Sequence, residues 1–382
     1  MKDFPMTPQE YYSSCNLKEN PFRPSAVAID DPRAEIWVGY EGQRKLLERS
    51  LNRVRADQVG LTSFVLLYGH WGTGKSHALL WARFWVRKEE AGAAYYLPTL
   101  VRDKGKISFR FAIKQDLIES GVLTRDLHDY YAFLSKKILE ITSVQTNMQP
   151  EDAIDQLFSI AEHRKLAKEI YHVHGQEDKI AAYLKEHLGS DHEAIGLFAR
   201  IVNLFVLEVG NSNSQRFKQA VYLFIDELDD LGRQPAKDSL QANDALRHLY
   251  DSCPNAFGLI VAASAELNTL QHLFTEYVLS RMTRKVEFEF LDQAKAREFV
   301  KDILDKNRVS GVDQARIGYF PLTEDSTAEI VSHLRQITPR DVVKTMQLVL
   351  EEMRLAEIDV SIEALDGDRL ESEGLIDLVF GE

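Results

Sequence analysis

The sequence predicts an α/β fold in which a parallel sheet is sandwiched by helices and is followed by a small all-helical domain. Up to about residue 291, apolar runs of strand length alternate with helical patterns, and only helical patterns follow after that point. A chain of 382 residues is long enough for one large domain and one smaller one. Because 45% of the residues are hydrophobic, we expect a sizeable core.

The composition argues against several classes of protein. A net charge of −13 disfavours a strongly basic nucleic-acid-binding coat, although it leaves room for a local basic patch. The two cysteines, Cys15 and Cys253, lie in no paired metal-ligand spacing, so we expect neither a disulfide framework nor a zinc site. There is no signal-peptide pattern, and no apolar run approaches the roughly 20 residues that span a bilayer. We therefore expect a soluble, cytoplasmic protein with no membrane partner.

The chain begins with a segment that reads as an extended arm, residues 1–35. Five prolines carry this prediction: Pro5, Pro8, Pro21, Pro24 and Pro32. A helix is predicted at 41–55 from its apolar spacing, and the run "SFVLLYG" then reads as a buried strand. The stretch "KSHALLWARFWVRKEEAG" reads as a helix with Gly92 at its C-terminal cap, and "AAYYLPTL" as a second strand.

Three further strands complete the predicted α/β domain, residues 36–291. They are "AVYLFIDEL" (220–228), "AFGLIVAAS" (256–264) and "RKVEFEFL" (284–291), and the last alternates as an exposed or edge strand does. Helical patterns at 292–356 predict the smaller domain, and residues 357–382 read as an acidic, loosely patterned tail.

The stretch "GHWGTGKS" (69–76) fits G-x-x-x-x-G-K-[ST] at every fixed position. Glycines let a ring of backbone N–H groups approach phosphate oxygens, the lysine ammonium reaches the β- and γ-phosphates, and the serine hydroxyl ligates Mg²⁺. A strand before and a helix after favour this interpretation over an incidental glycine-rich turn. The predicted nucleotide-binding residues here are Gly69, Gly72, Thr73, Gly74, Lys75, Ser76 and His77. His70 and Trp71 occupy free positions of the pattern and have no predicted role.

A second acidic element follows the strand at 220–228. Asp226 comes after five mostly apolar residues and is suited to hold Mg²⁺, while Glu227 can point at a water in line with the γ-phosphate. The alternative is a strand that ends in solvated acids at a turn. We expect Asp229 and Asp230 to belong to the turn itself.

With these two motifs and this layout, residues 15–356 resemble the AAA+ ATPases. The form "IDELDDL" resembles the initiator branch of origin-recognition and Cdc6 proteins, with its bacterial relatives, the TnsC- and TniB-like transposition regulators and the ExeA-like secretion ATPases. The resemblance implies ATP and Mg²⁺ as cofactors and a homo-oligomer whose sites are completed by a neighbouring subunit. It also implies adenine contacts from Val38 and Gly39, although Tyr40 stands where an arginine is usual.

The resemblance assigns three further residues. Ser264 matches a polar residue that senses the γ-phosphate at a strand end, with Asn268 as the second choice and a helix N-cap as the alternative role of Ser264. Arg281 matches a finger that enters the neighbour's site, with Arg284 as the second choice and a plain surface residue as the alternative. Arg340, after Pro339, matches the arginine of a lid helix that touches the γ-phosphate.

The chain departs from the family in two places. Residues 357–382 are too few for the winged-helix domain of initiators, so we expect any DNA contact to come from loops of the ATPase ring. Lys75 and Asp226 lie about 150 residues apart, which predicts a helical insertion at about 120–212 that serves partner docking or enlarges the core. We interpret the five histidines of the insertion as solvated surface residues and not as a metal site: His163, His172, His174, His187 and His192.

The sequence thus predicts an ATP-driven oligomeric switch that recruits or regulates a partner protein. A bacterial DNA-linked process such as transposition, replication or defence is the leading hypothesis, by family analogy. The alternative is a protein-only assembly or signalling ATPase of the ExeA-like kind, which the acidic charge favours.

Overall fold

A computed structural model of the chain describes residues 6–23, 28–101, 105–145, 147–210, 214–309, 316–360 and 363–381. Pro5 and Pro24, two of the prolines in the predicted arm, lie outside these residues. The chain divides into two compact units. The sheet unit comprises Lys45–Gly69 and Ala78–Glu287, and the helical unit comprises Met1–Arg44, His70–His77 and Phe288–Glu382.

Five parallel strands form the sheet, in the order β2-β3-β4-β1-β5. Their bounds are β1 Ser63–Gly69, β2 Ala93–Leu97, β3 Val221–Ile225, β4 Phe257–Ser264 and β5 Arg284–Phe288. Every residue of β1, β2 and β3 is buried, whereas β5 at the sheet edge alternates between buried and exposed residues. The parallel sheet, its five strands and the edge position of β5 agree with the sequence prediction.

The strand order places a topological switch point between β1 and β4. The connection from β1 to β2 runs through helix α3 (Lys75–Lys88) in one direction along the sheet, and the later connections run in the other. Right-handed crossovers therefore put α3 on one face and the later helices on the opposite face. Ligands of open α/β sheets bind outside the carboxyl ends of the strands at such a point. Here Gly69 at the end of β1 is in register with Ser264 at the end of β4.

The sheet unit contains most of the helices. Helix α2, Glu41–Val54, begins in the helical unit and continues into the sheet unit. The others are α3, α4 Phe109–Ala112, α5 Val122–Thr142, α6 Pro150–Leu157, α7 Ala161–His172, α8 Glu177–Glu186, α9 Asp191–Val206, α10 Ala236–Ser252, α11 Leu270–Leu273 and α12 Glu276–Leu279. A π-helical segment, Ile113–Glu119, joins α4 to the turn before α5. Helices α6 and α7 are separate because the chain becomes extended at the buried Phe158.

The predicted helical insertion packs into the same hydrophobic core as the sheet. The Tyr95 ring of β2 meets Phe198 of α9 edge to face at 5.7 Å, and its hydroxyl donates to Asp126 Oδ2 of α5 at 2.7 Å. Tyr130, Phe205 and Phe217 form an aromatic cluster with centroid separations of 5.0–5.5 Å. Enlargement of the core, one of the two predicted uses of the insertion, is therefore observed, and partner docking stays a prediction.

One histidine of the insertion does not fit the prediction of solvated side chains. His163 is buried, and burial lowers its pKa because the charged form loses its hydration. His172, His174 and His192 are exposed and His187 is half-buried, with its Nδ1 2.8 Å from the Tyr183 carbonyl oxygen. Among the described residues there is no cluster of three or more histidine, cysteine or acidic side chains that could hold a metal ion.

The helical unit is built on α1 Pro8–Ser14, α13 Gln293–Lys306, α14 Glu324–Ser332, α15 Pro339–Leu355, α16 Gly367–Ser372 and α17 Leu375–Phe380. Its core is contiguous and lies mainly between α13, α14 and α15. No helix within the described ranges is long and apolar enough to cross a membrane. Cys15 and Cys253 are both buried free thiols, and burial raises the pKa of Cys15 to about 12.

The N-terminal segment is not an extended arm, which corrects the sequence prediction. Pro8 occupies the first turn of α1, where a missing N–H costs nothing, and Thr7 caps the helix in a capping box with Glu10. Tyr11 and Tyr12 are buried in the core of the helical unit, and the Tyr12 hydroxyl donates to Glu351 Oε1 of α15 at 2.7 Å. Pro8 therefore starts a helix here, and Pro32 starts a 3₁₀ turn, Pro32–Glu35.

The C-terminal segment is also folded, contrary to the predicted loose tail. Leu365, Leu370 and Leu375 are each at most 1% exposed and belong to the core of the helical unit. The Leu365 carbonyl accepts hydrogen bonds from the Thr323 N–H at 3.0 Å and from the Ser326 hydroxyl at 2.8 Å. These three leucines are five residues apart, which matches neither the helical nor the strand period. The sequence pattern therefore does not predict that they are buried.

Gly92, just before β2, provides a direct test of the described packing. A Cβ at this position would lie 2.1 Å from the Ala220 carbonyl oxygen, which also accepts the Ala93 N–H at 3.0 Å. We expect Gly92→Ala to lower the free energy of unfolding by about 1–3 kcal/mol, because the strand entry must shift. Gly196→Ala in α9, where a Cβ meets nothing within 4 Å, is the control and is expected to stabilise by about 0.5–1 kcal/mol. Chemical denaturation measures the free energy of unfolding of both variants. Equal changes in the two variants would contradict the close contact between Gly92 and Ala220.

Candidate functional site

The phosphate-loop stretch connects the end of β1 to the start of α3, as predicted. Gly69, Gly72 and Gly74 have φ values of 142°, 82° and 97°, which side chains disfavour. A Cβ at Gly74 would meet nothing within 4 Å, so the glycine there serves the backbone conformation and leaves space beside the loop. A Cβ at Gly72 would instead press on the Thr338 side chain at 3.1 Å.

Lys75 lies at the first position of α3 and is only 6% exposed. Its ammonium donates to the His70 carbonyl oxygen at 2.6 Å, and the Thr73 hydroxyl donates to the same oxygen at 2.8 Å. The ammonium is thus directed back over the loop and not into solvent. A buried cation held against the loop backbone is suited to bind phosphate oxygens, which are stronger acceptors than a carbonyl.

The two residues after Lys75 differ in environment. The Ser76 hydroxyl is on an exposed residue in the first turn of α3, where it is accessible to a metal ion. His77 Nε2 lies 2.8 Å from the Ile36 carbonyl oxygen, and burial lowers the pKa of its ring, so we expect a neutral imidazole near pH 7. His77 thereby joins the loop to the segment that contains Val38 and Gly39.

The segment predicted to contact adenine is held within the helical unit. Gly39 has a φ of 64°, and a Cβ there would lie 3.3 Å from the Phe299 ring. Tyr40, which stands where the family has arginine, has a φ of 49° and donates from its hydroxyl to the Glu289 carbonyl at 2.5 Å. Its ring packs on Phe288 with centroids 5.2 Å apart. Tyr40 therefore acts as a structural anchor of this turn, which leaves Val38 half-buried beside it.

Arg340 lies in the first turn of α15, behind Pro339, as predicted. Its guanidinium carbon is 3.7 Å from the centroid of the Trp71 ring, and its backbone N–H donates to the Gly72 carbonyl at 3.2 Å. His70 stacks on Phe290 with centroids 4.4 Å apart. Within the helical unit, the structure thus brings Arg340 directly to the phosphate loop and gives both unassigned loop side chains a partner.

In the sheet unit, Asp226 follows the last residue of β3 and is 6% exposed. Its Oδ2 accepts the Tyr96 hydroxyl at 3.0 Å, and its Oδ1 accepts the Glu227 N–H at 2.9 Å. A carboxylate oxygen has two lone pairs, so accepting one hydrogen bond is compatible with binding a cation. The sequence reasoning missed Tyr96, whose place at the end of β2 beside β3 was the signal that could have found it.

Glu227 is held in an unusual conformation. Its φ and ψ are 56° and 39°, in the left-handed region that costs a non-glycine residue roughly 1 kcal/mol or more. Such strain persists where surrounding structure enforces it, often at functional positions. Burial and, next, the negative charges of Asp226, Asp230 and Asp229 raise the pKa of its carboxyl. The residue as a whole is exposed, so the burial that raises the pKa is a partial desolvation of its carboxyl by the surrounding turn.

Asp229 and Asp230 lie in a 3₁₀ turn, Leu228–Arg233, as the sequence predicts, but Asp229 has a further contact. Its Oδ1 accepts the Ser264 N–H at 3.1 Å, which ties the turn after β3 to the end of β4. Ser264 is the last residue of β4 and lies at the switch point, whereas its alternative Asn268 lies in the following 3₁₀ turn, Leu267–Thr269. Position therefore favours Ser264 over Asn268.

Arg281, the predicted finger, is paired within its own chain. Its guanidinium makes two bonds to the Asp251 carboxylate, at 2.8 Å and 3.0 Å, and a third to the Tyr277 carbonyl at 2.7 Å. The pair is partly exposed, at 29% for Arg281 and 39% for Asp251, so water and salt screen it. Arg284, the alternative, is half-buried at the first position of β5.

Each unit contains an oxygen donor of the kind that Mg²⁺ prefers, the Ser76 hydroxyl in the helical unit and the Asp226 carboxylate in the sheet unit. Mg²⁺ commonly takes only one or two ligands from the protein. The loop with its positive-φ glycines and its buried Lys75 suits a phosphate chain. When bound, Mg²⁺ would neutralise charge on the phosphates.

Comparisons with known proteins give fold likeness only. No protein-family model matches the chain, and no curated protein matches it. Similar solved structures include the ORC1 protein of Aeropyrum pernix in complex with DNA, with 12% identity, coverage of 91% of this chain and 68% of that one, and a TM-score of 0.48. They also include domain III of the replication initiation protein DnaA of Thermotoga maritima (13%, 93% and 100%, TM-score 0.43). A third is the RuvB Holliday junction branch migration motor of Thermotoga maritima (13%, 89% and 70%, TM-score 0.43).

The chain's own architecture confirms the predicted fold class. A five-stranded parallel sheet has a phosphate-loop stretch directly after β1 and an acidic pair, Asp226-Glu227, directly after β3. Helices follow the sheet in a second compact unit. At the level of the fold, the chain therefore has the arrangement of a P-loop NTPase, with the strand order β2-β3-β4-β1-β5 and the phosphate-loop stretch after β1.

Proposed function

We propose that the chain binds ATP with Mg²⁺ on its phosphate loop and hydrolyses it. The observation that supports this most is that the loop follows β1 and the acids Asp226 and Glu227 follow β3, at the carboxyl ends of strands in one parallel sheet. In this proposal Lys75 binds the β- and γ-phosphates. Ser76 and Asp226 ligate Mg²⁺, and Glu227 orients the attacking water.

The remaining candidates take supporting roles in the same proposal. Ser264 and Arg340 respond to the γ-phosphate, and Val38, Gly39 and His77 lie beside the base. Tyr96 and Asp229 are positioning residues, because they hold Asp226 and the end of β4 by hydrogen bonds of 3.0 Å and 3.1 Å.

We further propose that ATP controls assembly with other copies of the chain, and that Arg281 completes the neighbour's site. The partly exposed pair with Asp251 suits this role, because a triphosphate is a stronger anionic partner than one carboxylate. The assembled form would recruit or regulate a partner protein in a bacterial DNA-linked process. The protein-only alternative is favoured by one observation, the net charge of −13, which disfavours polyanion binding.

Size-exclusion chromatography with light scattering tests the switch, with and without ATP and with DNA added. Assembly that requires ATP supports the proposal, and a monomer under all conditions contradicts it. DNA retention that weakens steeply with salt supports the DNA-linked role, while ATP-dependent assembly without retention supports the protein-only alternative.

Mixing two inactive variants tests the finger. We expect Arg281→Ala to lower ATP turnover by about 1,000-fold, in the range typical of arginine fingers. Lys75→Ala cannot bind ATP but keeps Arg281, so adding it to Arg281→Ala should restore part of the turnover at shared sites. Arg284→Ala is the matched control and should retain turnover. If adding Lys75→Ala restores turnover to Arg284→Ala but not to Arg281→Ala, the finger is Arg284 and not Arg281.

A further inference from the structure

Trp71 is exposed to 69%, which is unusual for so large an apolar side chain. Its ring does not fill the core, and no fixed position of the phosphate-loop pattern requires it. The partner of the ring within the helical unit is the guanidinium of Arg340, at 3.7 Å from the ring centroid. The indole is the best ring for such a cation, so the contact is a specific one.

Two further contacts fix the same pair of segments. The Arg340 N–H donates to the Gly72 carbonyl at 3.2 Å, and Gly72 lies so close to Thr338, the N-cap of α15, that a Cβ would approach its hydroxyl to 3.1 Å. The backbone therefore brings the start of α15 to the loop, where the Arg340 guanidinium lies against the Trp71 ring.

A guanidinium stacked by its face keeps its hydrogen-bonding edge. Its N–H donors lie in the plane of the group, so contact with a ring below that plane uses none of them. An ion pair would instead occupy those donors, as Asp251 does for Arg281. The Trp71 contact thus orients Arg340 and leaves it able to bind an anion at the loop.

We propose that Trp71 is a positioning residue that holds Arg340 ready for the terminal phosphate of a nucleoside triphosphate. Trp71 thereby sets the preference of the site for triphosphate over diphosphate. This inference rests on the proposed nucleotide binding. It adds a role for Trp71, at a position that the loop pattern leaves free. A diphosphate lacks the group that Arg340 would reach, so its affinity should be almost independent of the stack.

The test is the ratio of the dissociation constants of ADP and ATP, measured by calorimetry with Mg²⁺. We expect Trp71→Ala to lower the preference for ATP by about threefold to tenfold with ADP affinity nearly unchanged. Trp71→Phe keeps an aromatic face and should retain most of the preference. His70→Ala removes the neighbouring ring, which stacks on Phe290, and should leave the ratio unchanged.

Arg340→Ala should lower the ratio at least as far as Trp71→Ala does. Because Trp71 acts through Arg340, the double variant should lower the ratio no further than Arg340→Ala alone. An unchanged ratio in Trp71→Ala overturns the inference, as does an equal loss of ATP and ADP affinity, which indicates a collapsed loop. Additive losses in the double variant also overturn it. If the wild-type protein binds neither nucleotide, the proposed function fails first, which is a distinguishable result.

Discussion

Glu227→Gln is expected to lower ATP turnover by at least about 100-fold while ATP still binds with nearly wild-type affinity. The amide keeps the size of the side chain and the left-handed backbone, with φ of 56°, but cannot accept a proton from water. Turnover under saturating ATP and equilibrium binding of ATP measure the two parts separately.

Asp230→Asn is the matched control for Glu227→Gln. It removes one charge from the same acidic turn, where Asp230 forms an ion pair with the exposed Arg233 at 3.2 Å. We expect it to change turnover little. Wild-type turnover in Glu227→Gln would contradict the assignment of Glu227 as the water-activating residue. The chain would then bind nucleotide without using Glu227.

The pH dependence of turnover gives a second measurement on Glu227. The ionised carboxylate is the form that accepts a proton, so turnover falls as the pH drops through the pKa of Glu227. Burial and the three neighbouring aspartates raise that pKa above its ordinary 4.5, so the acid limb should lie above pH 4.5. The residual turnover of Glu227→Gln should lack this limb.

Lys75→Ala is expected to abolish measurable ATP binding, with a loss of affinity of at least about 100-fold. Lys75 is 6% exposed and is the cation that the loop holds over its own backbone. Thermal unfolding with and without ATP and Mg²⁺ measures this, because a ligand that binds only the folded state raises the melting temperature. Wild-type protein should show the rise and Lys75→Ala should not.

Lys88→Ala, at the exposed C-terminal end of the same helix, is the control for Lys75→Ala. It should keep the full ATP-dependent rise. Because Lys75 also bonds the loop backbone, the melting temperature of each variant without ATP is recorded first, so that lost stability is separated from lost binding. An ATP-dependent rise in Lys75→Ala equal to wild type would place nucleotide binding outside the phosphate loop.

Elements with strong local signals could be predicted closely from the sequence. Strand β1 has the predicted bounds, since an unbroken apolar run is a local feature. Helix α15 begins at Pro339, directly before the arginine that was predicted to lie at a helix start. The phosphate loop could be predicted because its requirements, glycines beside phosphate oxygens, concern consecutive residues. Asp226 and Glu227 could be located in the same way, by their place after a strand.

Contacts between distant residues were not predictable in this way. Trp71 and Arg340 lie 269 residues apart in the chain, and each looks ordinary by itself. The bond from Ser264 N–H to Asp229 and the pairing of Arg281 with Asp251 likewise join residues whose nearness only the folded chain establishes. The residue pattern within one segment does not show which distant segment contacts it in the folded chain.

The sequence by itself determined that this chain has a phosphate loop, acids after a later strand and an α/β domain followed by helices, because each of these is written in consecutive residues. The tertiary structure alone decided that both terminal segments fold, since their few apolar residues are stabilised only by burial in the core of the helical unit. It also decided that Trp71, at a free position of the loop pattern, meets Arg340. Burial and side-chain stacking depend on distances in space, and those follow from the packing of the whole unit.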